Sequence, residues 1–116
     1  MTKFTIVRKN HKIIKFYGEG HSGYANSGED IVCSAISAIS QQSAIGITEY
    51  LKIPAAIKID GDTGYLKLDL SSKKIEKKVV QHRKEIDAIL ESMCIMLKEI
   101  EKQYPKFLKV VEKEAN

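Results

Sequence analysis

Two residues twelve positions apart hold most of the chemistry this sequence offers: His21, in a glycine-rich stretch, and Cys33, at the start of an apolar helical pattern. A thiolate is a strong nucleophile, and an imidazole exchanges a proton near neutral pH. A free thiol, with a pKa of about 8.5, is mostly protonated at pH 7. A helix start presents unpaired N–H groups and partial positive charge, and both stabilise a thiolate. The same N–H groups can receive the charge that develops on a carbonyl oxygen under attack. Strand end, loop and helix start can thus assemble a cysteine nucleophile, a histidine base and an oxyanion site. The plainer alternatives are a small buried cysteine and an ordinary loop histidine. Elsewhere the pattern is duller. Cys94, within Met93-Cys94-Ile95-Met96-Leu97, reads as core packing, His11 as a turn residue and His82 as solvent-facing.

The elements that must position this pair are legible as patterns. Residues 3–9 alternate, with Phe4 and Ile6 on one face and Thr5 and Val7 on the other. Residues 12–19 alternate again, with Ile14 and Phe16 opposed to Ile13, Lys15 and Tyr17. Asn10-His11 between them predicts a hairpin. Residues 18–28 hold four glycines and read as a loop. A helix is expected from about Asp30 to Leu51, with Val32, Ala35, Ile36, Ile39, Ile47 and Tyr50 as its apolar stripe. Ser27 with Asp30 fits a capping box. Asp30 as the N-cap itself is preferred, because Gly28 is a poor first helical residue, and it makes Cys33 the third helical position. The far side, with Ser34, Ser37 and Ser40, carries no charge, so cover from a second subunit, and hence a homodimer, is expected.

Pro54 ends that region. Strands follow at 55–60, with Ile57 and Ile59 on one face, and at 65–70, with Leu66, Leu68 and Leu70 inward. Asp60-Gly61-Asp62-Thr63-Gly64 is the turn between them. A long helix is predicted from Ser72 to about Lys102, then a break at Pro105 and a further helical turn or two over Phe107–Glu114. The order β-β-α-β-β-α makes a single two-layer α+β domain over 1–116, its antiparallel hairpins packed against two helices.

Composition narrows the function. The chain has 116 residues, 19 basic and 15 acidic, for a net charge of +4. That is a mild bias, and direct nucleic-acid binding is not expected. Lys73, Lys74, Lys77 and Lys78 cluster at a helix start and leave a non-enzymatic ribosome- or RNA-binding module as the alternative; a solvated lysine face is the plainer reading. Gly18-x-Gly20-x-x-Gly23 matches a dinucleotide fingerprint, but no helix opens at Gly23 and the chain is too short for a doubly wound sheet. The cysteines and histidines lack paired metal-ligand spacing, so no metal or cofactor is expected. The start lacks a signal-peptide pattern, the uncharged run Ile31–Thr48 reads as too polar for a membrane span, and two lone cysteines suit a reducing cytoplasm.

Gly20-His21-Ser22-Gly23-Tyr24-Ala25, followed by Gly28-Glu29-Asp30-Ile31-Val32-Cys33-Ser34-Ala35-Ile36-Ser37, resembles the ribosomal-processing cysteine protease family. It departs at Ser22 and Ser34, where alanine is the family pattern; both are small replacements. The resemblance implies a dimeric protease that removes a short N-terminal extension from ribosomal protein L-twenty-seven, cutting after a hydrophobic segment that ends in an aromatic residue. It implies Cys33 as nucleophile and His21 as general base. Asp30, one helical turn before Cys33, is either an orienter or a helix cap. Gly20 would let the loop from Gly20 to Ser27 move. Ser22, Gly23, Ser34 and Ser37 are candidates, with Gly20, for lining the substrate site.

Overall fold

The computed structural model describes residues 1–26 and 30–115. β1 (Thr2–Lys9) and β2 (Lys12–Glu19) form the expected hairpin, followed by α1 (Ile31–Ile45), β3 (Ala56–Asp60), β4 (Tyr65–Asp69), α2 (Glu76–Gln81), α3 (Arg83–Gln103) and β5 (Leu108–Glu114). The two-layer α+β arrangement holds, with five strands in the order β3-β4-β2-β1-β5.

β5 is the first correction. Residues expected to be helical pair instead in parallel with β1, from Thr2↔Leu108 to Arg8↔Glu114. Val110 and Val111 suit a strand, Leu108 is buried, and an unpaired β1 would leave a row of backbone donors and acceptors open. β1 is therefore internal, and Phe4, Thr5, Ile6 and Val7 are all buried.

A bulge supplies the second correction. The register runs Val7↔Lys15 and then Arg8↔Ile13, so Ile14 has no partner opposite it. One extra residue exchanges the faces. Ile13, fully buried, joins Phe16 in the core, and Ile14 is left at an intermediate position. Phe16 stacks on Phe4 with ring centroids 5.5 Å apart.

α1 begins as predicted, with Asp30 as N-cap, and continues into a π turn over Gly46–Tyr50. The alternative cap, Ser27, lies outside the described residues. The wider turn rotates Tyr50 off the apolar stripe, and it is exposed. Ser40 and Ser43 are buried rather than outward, their hydroxyls donating to the carbonyls of Ile36 and Ile39. By length and composition alone, Ile31–Tyr50 would serve to cross a membrane. In the fold its Val32, Ile36, Ala44 and Ile47 belong to the core.

The long C-terminal helix is interrupted, a third correction. A short 3-10 turn (Lys73–Ile75) leads into α2, and His82 breaks from helical geometry with φ −110° and ψ 20°. Its ring Nδ1 lies 2.9 Å from the Lys78 carbonyl, which also accepts the His82 N–H. Val79 and Val80 just before it are weak helix formers. His82 is partly buried, with its ring at an exposed position. Beyond it α3 buries Ile86, Leu90, Met93, Cys94, Leu97 and Ile100.

Candidate active site

The loop that carries His21 is tied at both ends. Gly20 has φ +83°, and a Cβ there would lie 2.9 Å from the Met1 carbonyl oxygen. The Thr2 hydroxyl donates to the Gly20 carbonyl at 3.2 Å. On the other side of His21, Ser22 is buried and donates to Asp30 Oδ2 at 2.5 Å, and the Tyr24 N–H reaches the same oxygen at 3.2 Å. Asp30 Oδ1 accepts the Cys33 N–H at 2.8 Å. Burial pushes the Asp30 carboxyl upward, but hydrogen bonds from Ser22, Cys33, Ala25 and Tyr24 outweigh it and hold the group below the ordinary carboxylate range. Asp30 is thus an ionised cap that also clamps the loop. Both of its oxygens are engaged, and neither is bonded to His21, so of its two expected roles the structure supports the cap.

His21 Nδ1 lies 3.9 Å from Cys33 Sγ. The other ring nitrogen, Nε2, lies 3.2 Å from the backbone carbonyl of Asp62 in the β3–β4 turn. A carbonyl only accepts, so this contact selects the tautomer with the proton on Nε2 and leaves Nδ1 free to accept a proton from Cys33. The group in the orienting position is a backbone carbonyl 41 residues along the chain from His21. Sequence reasoning saw the segment Asp60–Gly64 only as a turn. Gly64 was the usable signal: its φ is +67°, and a Cβ would meet the Gly20 carbonyl oxygen at 2.7 Å and the His21 ring at 3.2 Å. Only glycine lets the turn approach so closely.

Two clefts meet at the pair. One, of about 120 Å³, is floored by Phe4, Ile36 and Leu66 and flanked by Ile59. The other is the more polar of the two, bordered by Asn26, Ser34 and Asp62. Gly20 borders the apolar cleft, Ser34 the polar one, and Ser37 both. Ser22 and Gly23 border neither; Ser22 is a buried anchor. Phe4, Ile59 and Leu66 were read from sequence as packing residues only.

The arrangement has the parts of a thiol acyl-transfer centre: a half-exposed thiol at the third position of a helix, an imidazole base, and an orienter behind it. Apo spacings of this kind are commonly looser than the reacting geometry. One expectation changes. The N–H groups of Cys33 and Ser34 are already bonded to Asp30, so these two amides are not free to hold an oxyanion. Among the described residues there is no cluster of three or more metal-ligating side chains.

Comparison with known proteins bears on the whole chain. The family described as cysteine protease Prp matches residues 1–109. A Bacillus subtilis (strain 168) protein named ribosomal processing cysteine protease Prp is 26% identical over 111 residues, covering 95% of this chain and 96% of that one. A crystal structure from Streptococcus mutans superposes with a TM-score of 0.83 at 23% identity, covering 99% of this chain and 96% of that chain. The ribosomal processing protease Prp from S. aureus, solved with a covalently linked product peptide, superposes at 0.80 and 23% identity, covering 97% and 100%. The two structural likenesses establish the fold. The match over nearly the full length of the chain establishes the rest: the chain belongs to the cysteine protease Prp family.

Proposed function

We propose that this chain is an endopeptidase that trims the hydrophobic N-terminal extension of ribosomal protein L-twenty-seven, using Cys33 as nucleophile and His21 as general base and acid. The single observation that carries the reading is the 3.9 Å approach of Cys33 Sγ to His21 Nδ1 at the mouth of an apolar cleft. The name of the Bacillus subtilis relative supports ribosomal processing, and the named S. aureus complexes support peptide substrates. In the proposed reaction Nδ1 takes the thiol proton as sulfur bonds to the scissile carbonyl carbon. The same nitrogen then protonates the departing amine, and the C–N bond breaks to leave a thioester. Water, losing a proton to His21, hydrolyses the thioester and restores the thiol. Ile59, with Ile36 and Leu66 at the floor of the cleft, offers an apolar surface suited to the residues before the cut.

The protein is further proposed to act in the cytoplasm as a homodimer. Supporting the dimer, the outer face of α1 is uncharged and leaves Ile31 and Ile45 more than half exposed. The deciding experiment is intact-mass analysis of an extended L-twenty-seven incubated with wild type or Cys33→Ala under reducing conditions. One cut by wild type and none by the variant is expected. Cleavage by Cys33→Ala would overturn the nucleophile assignment. No cut by folded wild type would overturn the substrate assignment.

A further inference from the structure

Three residues past His21, Tyr24 leaves the loop sideways and lays its ring against two others. It meets Tyr104 edge-on at 5.6 Å and Phe107 edge-on at 5.3 Å. Both partners belong to the tight connection between α3 and β5, the place where Pro105 was expected only to stop a helix. That connection is itself firmly held. The Phe107 N–H donates to the Tyr104 carbonyl, the Thr2 N–H donates to the Phe107 carbonyl, and both partner rings are half-buried against the core. Tyr24 is 42% exposed, and no hydrogen bond to its hydroxyl occurs among the described residues. Its contribution is therefore the ring, not the oxygen.

We infer that Tyr24 is a positioning residue: its docking on Tyr104 and Phe107 latches the loop so that His21 faces Cys33. The inference rests on the proposed Cys33–His21 pair. Asp30 holds the loop at Ser22 and at the Tyr24 amide, but these contacts fix backbone close to the helix start. The aromatic latch adds a separate tie through the Tyr24 side chain, to Tyr104 and Phe107 in the connection after α3. The ties at Gly20 and Asp30 leave the stretch beyond Ser22 held only near its backbone, and each added anchor narrows the orientations it samples; small misplacements of a base cost large factors in rate. Each edge-to-face contact has the strength to shift a local equilibrium several-fold.

The test compares Tyr24→Ala, Tyr24→Phe, Tyr104→Leu and the double variant Tyr24→Ala/Tyr104→Leu in the peptide-cleavage assay, with hydrogen exchange of amides 20–26 followed on the same samples. Tyr24→Ala is expected to lower kcat about tenfold with an unchanged melting temperature, and to speed loop exchange. Tyr24→Phe, which keeps the ring, is expected to restore both. The double variant is expected to fall no further than Tyr24→Ala. Wild-type kcat in Tyr24→Ala, an equal loss in Tyr24→Phe, or multiplicative losses in the double variant would each overturn the latch. Should wild type show no Cys33-dependent cleavage, the exchange data decide alone. Faster loop exchange in Tyr24→Ala, normal in Tyr24→Phe, keeps the latch while the protease assignment fails. Unchanged exchange removes the latch.

Discussion

At the β5 edge of the sheet, the Arg8 guanidinium reaches Glu91 at 2.6 Å and Glu112 at 2.8 Å, and Lys98 reaches Glu112 at 2.6 Å. β5, α3 and β1 are stitched together there, and Glu101 adds a bond to the Val110 N–H. At the opposite edge all five residues of β3 are exposed. Ile57 and Ile59 share a face with Leu68 and Leu66, yet remain 38% and 59% exposed because no helix covers them. The lesson is a division of labour within one sheet. One edge supplies stability. The other leaves backbone and apolar side chains accessible, and the Cys33–His21 pair lies where the β3–β4 turn approaches the covered half.

This contrast can be broken by paired substitutions. Leu97→Ala, in the covered half, is expected to cost about 2–5 kcal/mol in urea unfolding. Ile59→Ala, on the open edge, is expected to cost less than about 0.5 kcal/mol while raising KM for an apolar peptide. Similar unfolding costs would erase the distinction between the halves. Gly64→Ala sits where they meet. By pushing the turn off the Gly20 carbonyl it is expected to reduce kcat by roughly a hundredfold, the scale of an ångström-sized misplacement, as steady-state kinetics would show. A normal kcat would mean that the Asp62 carbonyl is not what orients His21.

The pH response sharpens the contrast further. Hydrogen bonds from Lys98 and Arg8 hold the Glu112 carboxyl below its ordinary range. A group depressed in the folded state stabilises above its unfolded pKa, about 4.3 for glutamate. That stabilisation is lost as pH falls below this value through the lowered one. Glu112 is about a third exposed, so solvent screening keeps the effect modest. Glu112→Gln is expected to flatten part of the acid-side decline in melting temperature, with little change in cleavage at neutral pH. A mutant curve parallel to wild type would mean that the clamp adds nothing. The smallest expected effect is Ile57→Thr, within about 0.5 kcal/mol of wild type.

The candidate pair His21 and Cys33 and the helix cap were legible because each depends on local sequence: a glycine-rich strand end, and an aspartate three residues before a cysteine. What escaped depends on distant partners. The β2 bulge is invisible in a stretch where Ile13 and Ile14 are both apolar. β5 reads as a further helical turn or two until β1 is seen to need a second neighbour. The Asp62 carbonyl could not be found from side-chain chemistry at all, because a main-chain oxygen has no residue type. Tyr24 looked like part of a motif, and its partners eighty residues away became apparent only with the α3–β5 connection in place.

The parallel pairing of β1 with β5 also has a consequence in time. A chain is made in one direction, so residues 2–8 emerge early and wait for residues 108–114 before this side of the sheet can close. Tyr104 and Phe107, the far side of the loop's mooring, arrive almost as late. Until residues 104–114 are made, the loop that carries His21 lacks this mooring and β1 lacks its second neighbour. In a timed translation, nascent chains arrested near residue 100 are expected to show no thiol-dependent cleavage, whereas released chains that include residues 104–114 gain it.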